Sequence, residues 1–250
     1  NEIDKEVDTD SLIFKGGYPA VWAKNIPIQD VAQNYYNTYI ERDVRQILNI
    51  KDLSRFQTFI RLCAGRIGTE FNASALSNEI GVSVPTIQEW LSVLEASYVL
   101  FRLPPFFRNI GKRLVKSPKI YFYDTGLACY LLGIENEQQL ETHPLRGALF
   151  ENMIVLEFVK KRFNVGKIPK LYFYRDKSQR EVDLIEEKGT ALYAYEIKSA
   201  TTFTKSFVHN LDYFRKVAGQ DVASTQVIYD GEINIETPEN GMLNFRNLKN

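Results

Sequence analysis

Between Glu181 and Lys198 the chain reads as two strand-length runs, Glu181 to Glu187 and Ala191 to Lys198, separated by a turn at Lys188-Gly189. A glycine there lets the chain reverse, so the two runs are expected to pair. Side chains alternate along a strand, which puts Glu196 and Lys198 on one face and Ile197 on the other. Asp183 lies six residues before Gly189 and Glu196 seven after it, so the pairing sets the two acids opposite each other. Two carboxylates within reach repel unless a cation lies between them, and hard oxygen ligands suit magnesium or manganese. Such a metal orients a water and polarises a scissile phosphate. Lys198 is then placed to hold or activate the water, or to stabilise charge in the transition state.

The hairpin sits in a longer rhythm. A helix from about Ala148 to Phe163 precedes a strand at Lys170 to Tyr174, and the two strands above follow. Then come a helix near Lys205 to Ala218 and a strand at Ala223 to Tyr229. The order is αβββαβ, and no repeat or low-complexity segment interrupts it. In the turn before Asp183, Arg175, Lys177 and Arg180 either touch a nucleic-acid backbone or keep the turn soluble. Lys205 is a weaker candidate for the cleft.

The first 135 residues read differently. Lys15-Gly16-Gly17-Tyr18-Pro19 is turn-like, and Tyr35, Tyr36, Tyr39, Ile40, Val44, Ile47 and Leu48 recur at helical spacing, predicting one long helix over Asp30 to Ile50. Three shorter helices follow: Arg55 to Ile67, Ala73 to Ile80 and Val84 to Ser97. Asn72 is a natural cap for the second, Gly81 supplies a tight turn, and Ser83 with Pro85 opens the third. This is a helix-turn-helix signature, with Ser83, Thr86, Gln88 and Glu89 outward at the start of its second helix. Strand-like runs at Tyr98 to Leu103 and Lys119 to Tyr123 flank Arg108, Lys112, Arg113 and Lys116, completing the outline of a winged helix with a basic wing. That wing is either a phosphate-contacting element or a solvated loop, and winged helices also dock proteins. Asp124 to Gly133 reads as a short helix.

Composition adds limits. Thirty-one Lys and Arg against 31 Asp and Glu leave no net charge, so any DNA binding must come from local patches. Cys63 and Cys129 lack metal-ligand spacing and read as buried thiols of a reducing compartment. His143 and His209 have no partner spacing. No apolar run approaches the roughly 20 residues of a membrane helix, which points to a cytoplasmic protein. The first residue is Asn, not Met, so a fragment of a longer chain is expected.

The Asp183, Glu196-Ile197-Lys198 set followed by a helix resembles the PD-(D/E)xK nuclease superfamily over roughly residues 145–230, with Val182 where the motif's name has Pro. The resemblance implies a fourth member on the preceding helix: Glu151, with Glu157 as the alternative. Tyr39-Ile40-Glu41-Arg42-Asp43-Val44, Gly147 to Asn152, and Tyr174-Arg175 with Glu181-Val182-Asp183 are similar to the C-terminal region of prokaryotic AAA+-type ATPases that carry a winged helix and a nuclease-like domain. The Gly16-Gly17-Tyr18-Pro19 segment then corresponds to the end of the ATPase part. No Gly-x-x-x-x-Gly-Lys-Ser/Thr loop is present, so ATP is expected to bind only in a longer chain.

The expectation is therefore a mixed α+β or α/β chain in three parts: residues 1–50, the end of an ATPase module; 51–135, a winged helix; and 136–250, a nuclease-like αβββαβ domain. Asp183, Glu196 and Lys198 are the candidate catalytic residues. Glu151, Asp183 and Glu196 are the candidate ligands of Mg2+ or Mn2+, and Arg108, Lys112, Arg113, Lys116 and Arg175 the candidate DNA contacts. The function is a metal-dependent endodeoxyribonuclease, or alternatively a DNA- or protein-binding module that does not cut. A homo-oligomer fits either reading.

Overall fold

The computed structural model describes residues 6–38, 52–107 and 117–248. The expected long helix over Asp30 to Ile50 is seen from Ile28 to Tyr35, and most of the rest of it lies outside the described residues. The chain is mixed α/β and divides into two compact units, one holding residues 8–102 and 119–152, the other 103–118 and 153–250 with the first seven residues. These cut the chain differently from the three expected segments, because the first helices pack with residues that follow the helix-turn-helix.

The helical unit begins with α1 (Thr9–Lys15), α2 (Pro19–Ala23) and α3 (Ile28–Tyr35). Next come α4 (Leu53–Ala64), α5 (Ala73–Ile80) and α6 (Val84–Ala96). The caps read from the sequence are in place: Asn72 Oδ1 accepts from Ala75 N–H at 2.9 Å and Ser83 Oγ from Thr86 N–H at 3.2 Å. Gly81 adopts φ 76°, the left-handed conformation that ends a helix at least cost when the residue has no Cβ. The buried stripe of α4 meets that of α6 through Trp90, whose ring centroid lies 5.3 Å from Phe56 and 5.5 Å from Phe59. Each such aromatic removed from water contributes roughly 1.5–3 kcal/mol. Strands β1 (Leu100–Leu103) and β2 (Lys119–Phe122) form a two-stranded sheet, and Glu70 bridges to Lys119 on the same strand.

The helix α7 (Thr125–Leu131) is capped by Asp124, whose carboxylate accepts from Leu127 N–H at 2.8 Å and from Gly17 N–H at 2.7 Å. The Gly16-Gly17 pair is explained by that contact. Gly16 has φ 63°, and a Cβ there would lie 2.4 Å from Asp124 Oδ1. A short helix α8 (Glu137–Glu141) follows, and the boundary between the units falls within α9 (Arg146–Asn164), after Asn152.

The second unit is built on a five-stranded sheet in the order β3-β4-β5-β6-β7: β3 (Leu171–Arg175), β4 (Glu181–Lys188), β5 (Ala191–Lys198), β6 (Val222–Tyr229) and β7 (Gly241–Asn244). β3, β4 and β5 are antiparallel neighbours, whereas β5, β6 and β7 run parallel. The crossover from β5 to β6 is a 3-10 turn at Lys205–Val208 and the helix α10 (His209–Ala218). Leu211 and Phe214 of α10 cover one face of the sheet with Ile185, Leu192, Ala194 and Val227. On the other face Phe158 of α9 packs on Tyr195, ring centroids 4.8 Å apart. Both sheet edges are covered: beside β3 the Phe106 N–H donates to Phe173 O and the Phe173 N–H to Pro104 O, and Ile235 pairs with Met242 on β7. β7, α1, α2 and α8 were not anticipated from sequence.

Candidate active site

The pairing of β4 with β5 runs from Lys188 opposite Ala191 to Leu184 opposite Tyr195. Carried one residue further, this register sets Asp183 against Glu196, as the spacing around Gly189 implied. On the other side of β4 the register slips. Tyr172 pairs with Ile185 and Tyr174 with Val182, so the single residue Phe173 faces both Asp183 and Leu184. That extra residue is a β-bulge, a device that turns a side chain away from strict alternation. Val182 joins the core beneath α10, and Asp183 reaches across to β5.

Asp183 and Glu196 are buried, 6% and 5% exposed. Asp183 Oδ2 accepts from the backbone N–H of Ile197 at 2.8 Å and from Lys198 Nζ at 3.3 Å. Lys198 Nζ also lies 2.8 Å from Glu196 Oε1. One ammonium thus bridges two carboxylates. Burial on its own lowers the pKa of Lys198, but Asp183 and then Glu196 outweigh it and hold the group above the ordinary lysine range. The side chain is charged in this arrangement, so it suits stabilising negative charge better than accepting a proton.

Other expected residues are placed elsewhere. Glu151 belongs to the helical unit, where its Oε1 accepts from Lys119 Nζ at 3.1 Å and from the Tyr121 hydroxyl. Lys119 is 1% exposed and Glu151 partly buried, an ion pair that sequence reasoning did not foresee. Glu157 pairs with Lys160 at 3.0 Å. Among the described residues no group of three or more His, Cys, Asp or Glu is gathered to hold a metal ion. Arg175 faces Glu181 at 3.4 Å and also bonds Gln179. Arg108, Lys112, Arg113 and Lys116 lie outside the described residues. Lys205 is exposed in the 3-10 turn, and His143 Nδ1 accepts from Leu145 N–H at 3.1 Å in a local turn. Cys63 and Cys129 are buried free thiols.

Asp176, in the turn between β3 and β4, is 3% exposed and organises that turn. Its Oδ1 accepts from Ser178 N–H at 2.8 Å and Arg180 N–H at 3.1 Å, and its Oδ2 from the Tyr213 hydroxyl at 3.1 Å. The local half of this was legible, since an Asp two residues before a Ser is an Asx turn. The Tyr213 half, 37 residues away, had no local signal.

Residues 6–138 match the profile of a family described as a domain of unknown function (DUF8612), and residues 146–248 match a second domain of unknown function (DUF4143), one found in AAA-ATPase-associated proteins. An uncharacterized protein of Mycobacterium tuberculosis and one of Mycobacterium bovis are each 32% identical to the chain over 199 residues, 77% of its length. The chain spans 43% of the length of these relatives. No solved structure matches it. Among the described residues, no helix is long and apolar enough to cross a membrane.

Proposed function

The chain belongs to the DUF8612 family, whose description assigns no activity, and from its own site we propose that it is part of a metal-dependent DNA endonuclease. The observation that carries the reading is the sharing of Lys198 by Asp183 and Glu196 on one hairpin, in an α-β-β-β-α-β setting. The donor set fits a hard divalent cation: two buried carboxylates, Asp183 and Glu196, carried by adjacent strands. Asp183 and Glu196 would hold Mg2+ or Mn2+, which supplies Lewis-acid activation of water and of the scissile phosphate. Lys198 contributes a fixed positive charge where the pentavalent phosphorus centre accumulates negative charge. The backbone N–H of Ile197 donates to Asp183 Oδ2 and so restrains the carboxylate that would hold the cation.

The helices α5 and α6, their Gly81 turn, and the β1–β2 sheet with its Glu70 bridge support a winged helix that positions the DNA. Ser83, Gln88 and Glu89 are exposed at the start of α6. ATP binding belongs, on this reading, to a longer protein. A second reading, a module that binds DNA or protein without cutting, is favoured by the engagement of Glu151 with Lys119 and Tyr121, which commits the fourth expected acid to a structural role.

The test is incubation of the chain with plasmid, linear and branched DNA, with Mg2+ or Mn2+ and with chelator, beside Asp183→Asn. Metal-dependent cutting lost in the variant supports the nuclease. DNA retained in a gel shift but never cut by the parent protein selects the binding module.

A further inference from the structure

The β3–β4 turn presents one basic side chain in a manner unlike its neighbours. The Arg180 guanidinium lies 4.1 Å from the centroid of the Tyr213 ring. The residue is exposed, and no carboxylate pairs with its guanidinium among the described residues. Arg175, by contrast, is engaged by Glu181 and Gln179. The turn itself is rigid: Asp176 N–H donates to Arg180 O at 3.1 Å, Gln179 N–H to Asp176 O at 3.0 Å, and Gln179 holds φ 63°. The buried Asp176 carboxylate then ties the turn to α10 through the Tyr213 hydroxyl.

Topology gives this turn its place. β3, β4 and β5 are antiparallel, so the end of β3, the start of β4 and the end of β5 lie at one end of the sheet. Asp183, Glu196 and Lys198 are at that same end. Tyr213 sits on α10, which covers the face shared by Ala194, Glu196 and Lys198. A guanidinium held over an aromatic ring is restrained in its orientation, with the N–H groups of its planar fork left for oxygen acceptors. Phosphate oxygens suit such a fork in two-pronged geometry.

We propose that Arg180 binds a backbone phosphate of DNA beside the candidate active site, with Lys177 at the turn apex as an auxiliary charge and the Asp176–Tyr213 hydrogen bond as its positioning device. The proposal rests on reading the Asp183 site as a DNA-cleaving centre, which makes a phosphodiester the anion at this end of the sheet. It assigns the DNA contact to Arg180 in place of Arg175.

The experiment is fluorescence anisotropy of a labelled duplex in chelator over a range of salt concentrations, with the full chain as it exists. Arg180→Ala and Arg180→Gln should each bind about tenfold more weakly, and each should reduce the salt slope by about 1, as expected for one lost phosphate contact. Arg180→Lys should restore the slope but only part of the affinity, because an ammonium lacks the planar fork. Tyr213→Phe keeps the ring and removes the hydroxyl, so it should weaken binding about threefold with an unchanged slope, a loss of orientation and not of charge. Arg175→Ala should leave both quantities unchanged. Parent affinity and slope retained by both neutral Arg180 variants overturn the proposal, as does a parent protein that does not bind DNA. Cleavage is scored separately with Mg2+. Absence of cutting alongside the predicted Arg180 effects rejects the nuclease reading and leaves the phosphate contact standing.

Discussion

Replacing Asp183 separates its structural from its chemical role, because the same carboxylate oxygen serves both. In Asp183→Ala the Ile197 N–H, buried and bonded at 2.8 Å, loses its acceptor. Leaving a buried donor unsatisfied costs about 1–3 kcal/mol. The loss is partly offset, since two acids sharing one ammonium become a simple Glu196–Lys198 pair at 2.8 Å. A net destabilisation of about 1–2 kcal/mol follows, equivalent to a midpoint lowered by roughly 2–8 °C in a chain of this size. Asp183→Asn keeps an oxygen for the Ile197 N–H and removes the charge, so its stability should stay within about 1 kcal/mol of the parent. Both variants should lack metal-dependent cleavage. The assay is thermal and urea unfolding in chelator, followed by circular dichroism, beside DNA cleavage in Mg2+. An alanine variant as stable as the parent refutes the Asp183–Ile197 bond. An asparagine variant that still cuts refutes its chemical role.

Gly16→Ala adds a Cβ at 2.4 Å from Asp124 Oδ1 and 2.7 Å from Gly126 N at a left-handed φ, so it should cost more than about 2 kcal/mol; Gly133→Ala, also left-handed but with nothing within 4 Å, should cost about half that, and equal midpoints would contradict the packing. Lys119→Met strands the Glu151 charge and should cost about 3–5 kcal/mol, most of it recovered in the Lys119→Met, Glu151→Gln double variant; additive effects in this cycle would show that the pair does not interact. Burial pushes the Cys63 and Cys129 thiols up, so both stay protonated and shielded near pH 8. Ellman's reagent should therefore detect no thiol in the native protein and two after unfolding, and a fast native reaction would count against that burial.

What sequence reasoning reached was what local chemistry encodes. Asn72, Gly81 and Ser83 act on backbone groups within four residues of themselves, and the α5–turn–α6 boundaries followed from them. The facing of Asp183 and Glu196 needed only a turn and a period of two. The bulge that puts Val182 in the core with Ile185, three residues on, comes from a one-residue mismatch between β3 and β4, and alternation within either strand does not announce it. Glu151 shows the same limit more sharply. Its position on the helix before β3 looked like that of a metal ligand, but its partner Lys119 lies 32 residues earlier on another strand. β7 is four residues long, with Gly241 and Asn244 at its ends, and its pairing with β6 rests on the crossover that brings the chain back.

Charge connects these features. Asp183, Glu196 and Lys198 together carry a net −1, which repels a phosphodiester. The chain as a whole is neutral, so no long-range field compensates for that repulsion. A DNA backbone approaching this end of the sheet would therefore need positive charge from two sources: a divalent cation that reverses the sign of the Asp183, Glu196 and Lys198 cluster, and fixed basic groups that hold neighbouring phosphates. Arg180, held over the Tyr213 ring and with no acidic partner for its guanidinium among the described residues, has the freedom to act on a phosphate that Arg175, engaged by Glu181, lacks. The two sources should reinforce each other, since a phosphate held by Arg180 raises the local concentration of the next one at the acidic pair. Arg180→Ala should then weaken DNA binding by a larger factor in Ca2+, which can occupy hard oxygen sites, than in chelator. Equal factors under the two conditions would mean that the turn and the acidic pair do not act on the same strand of DNA.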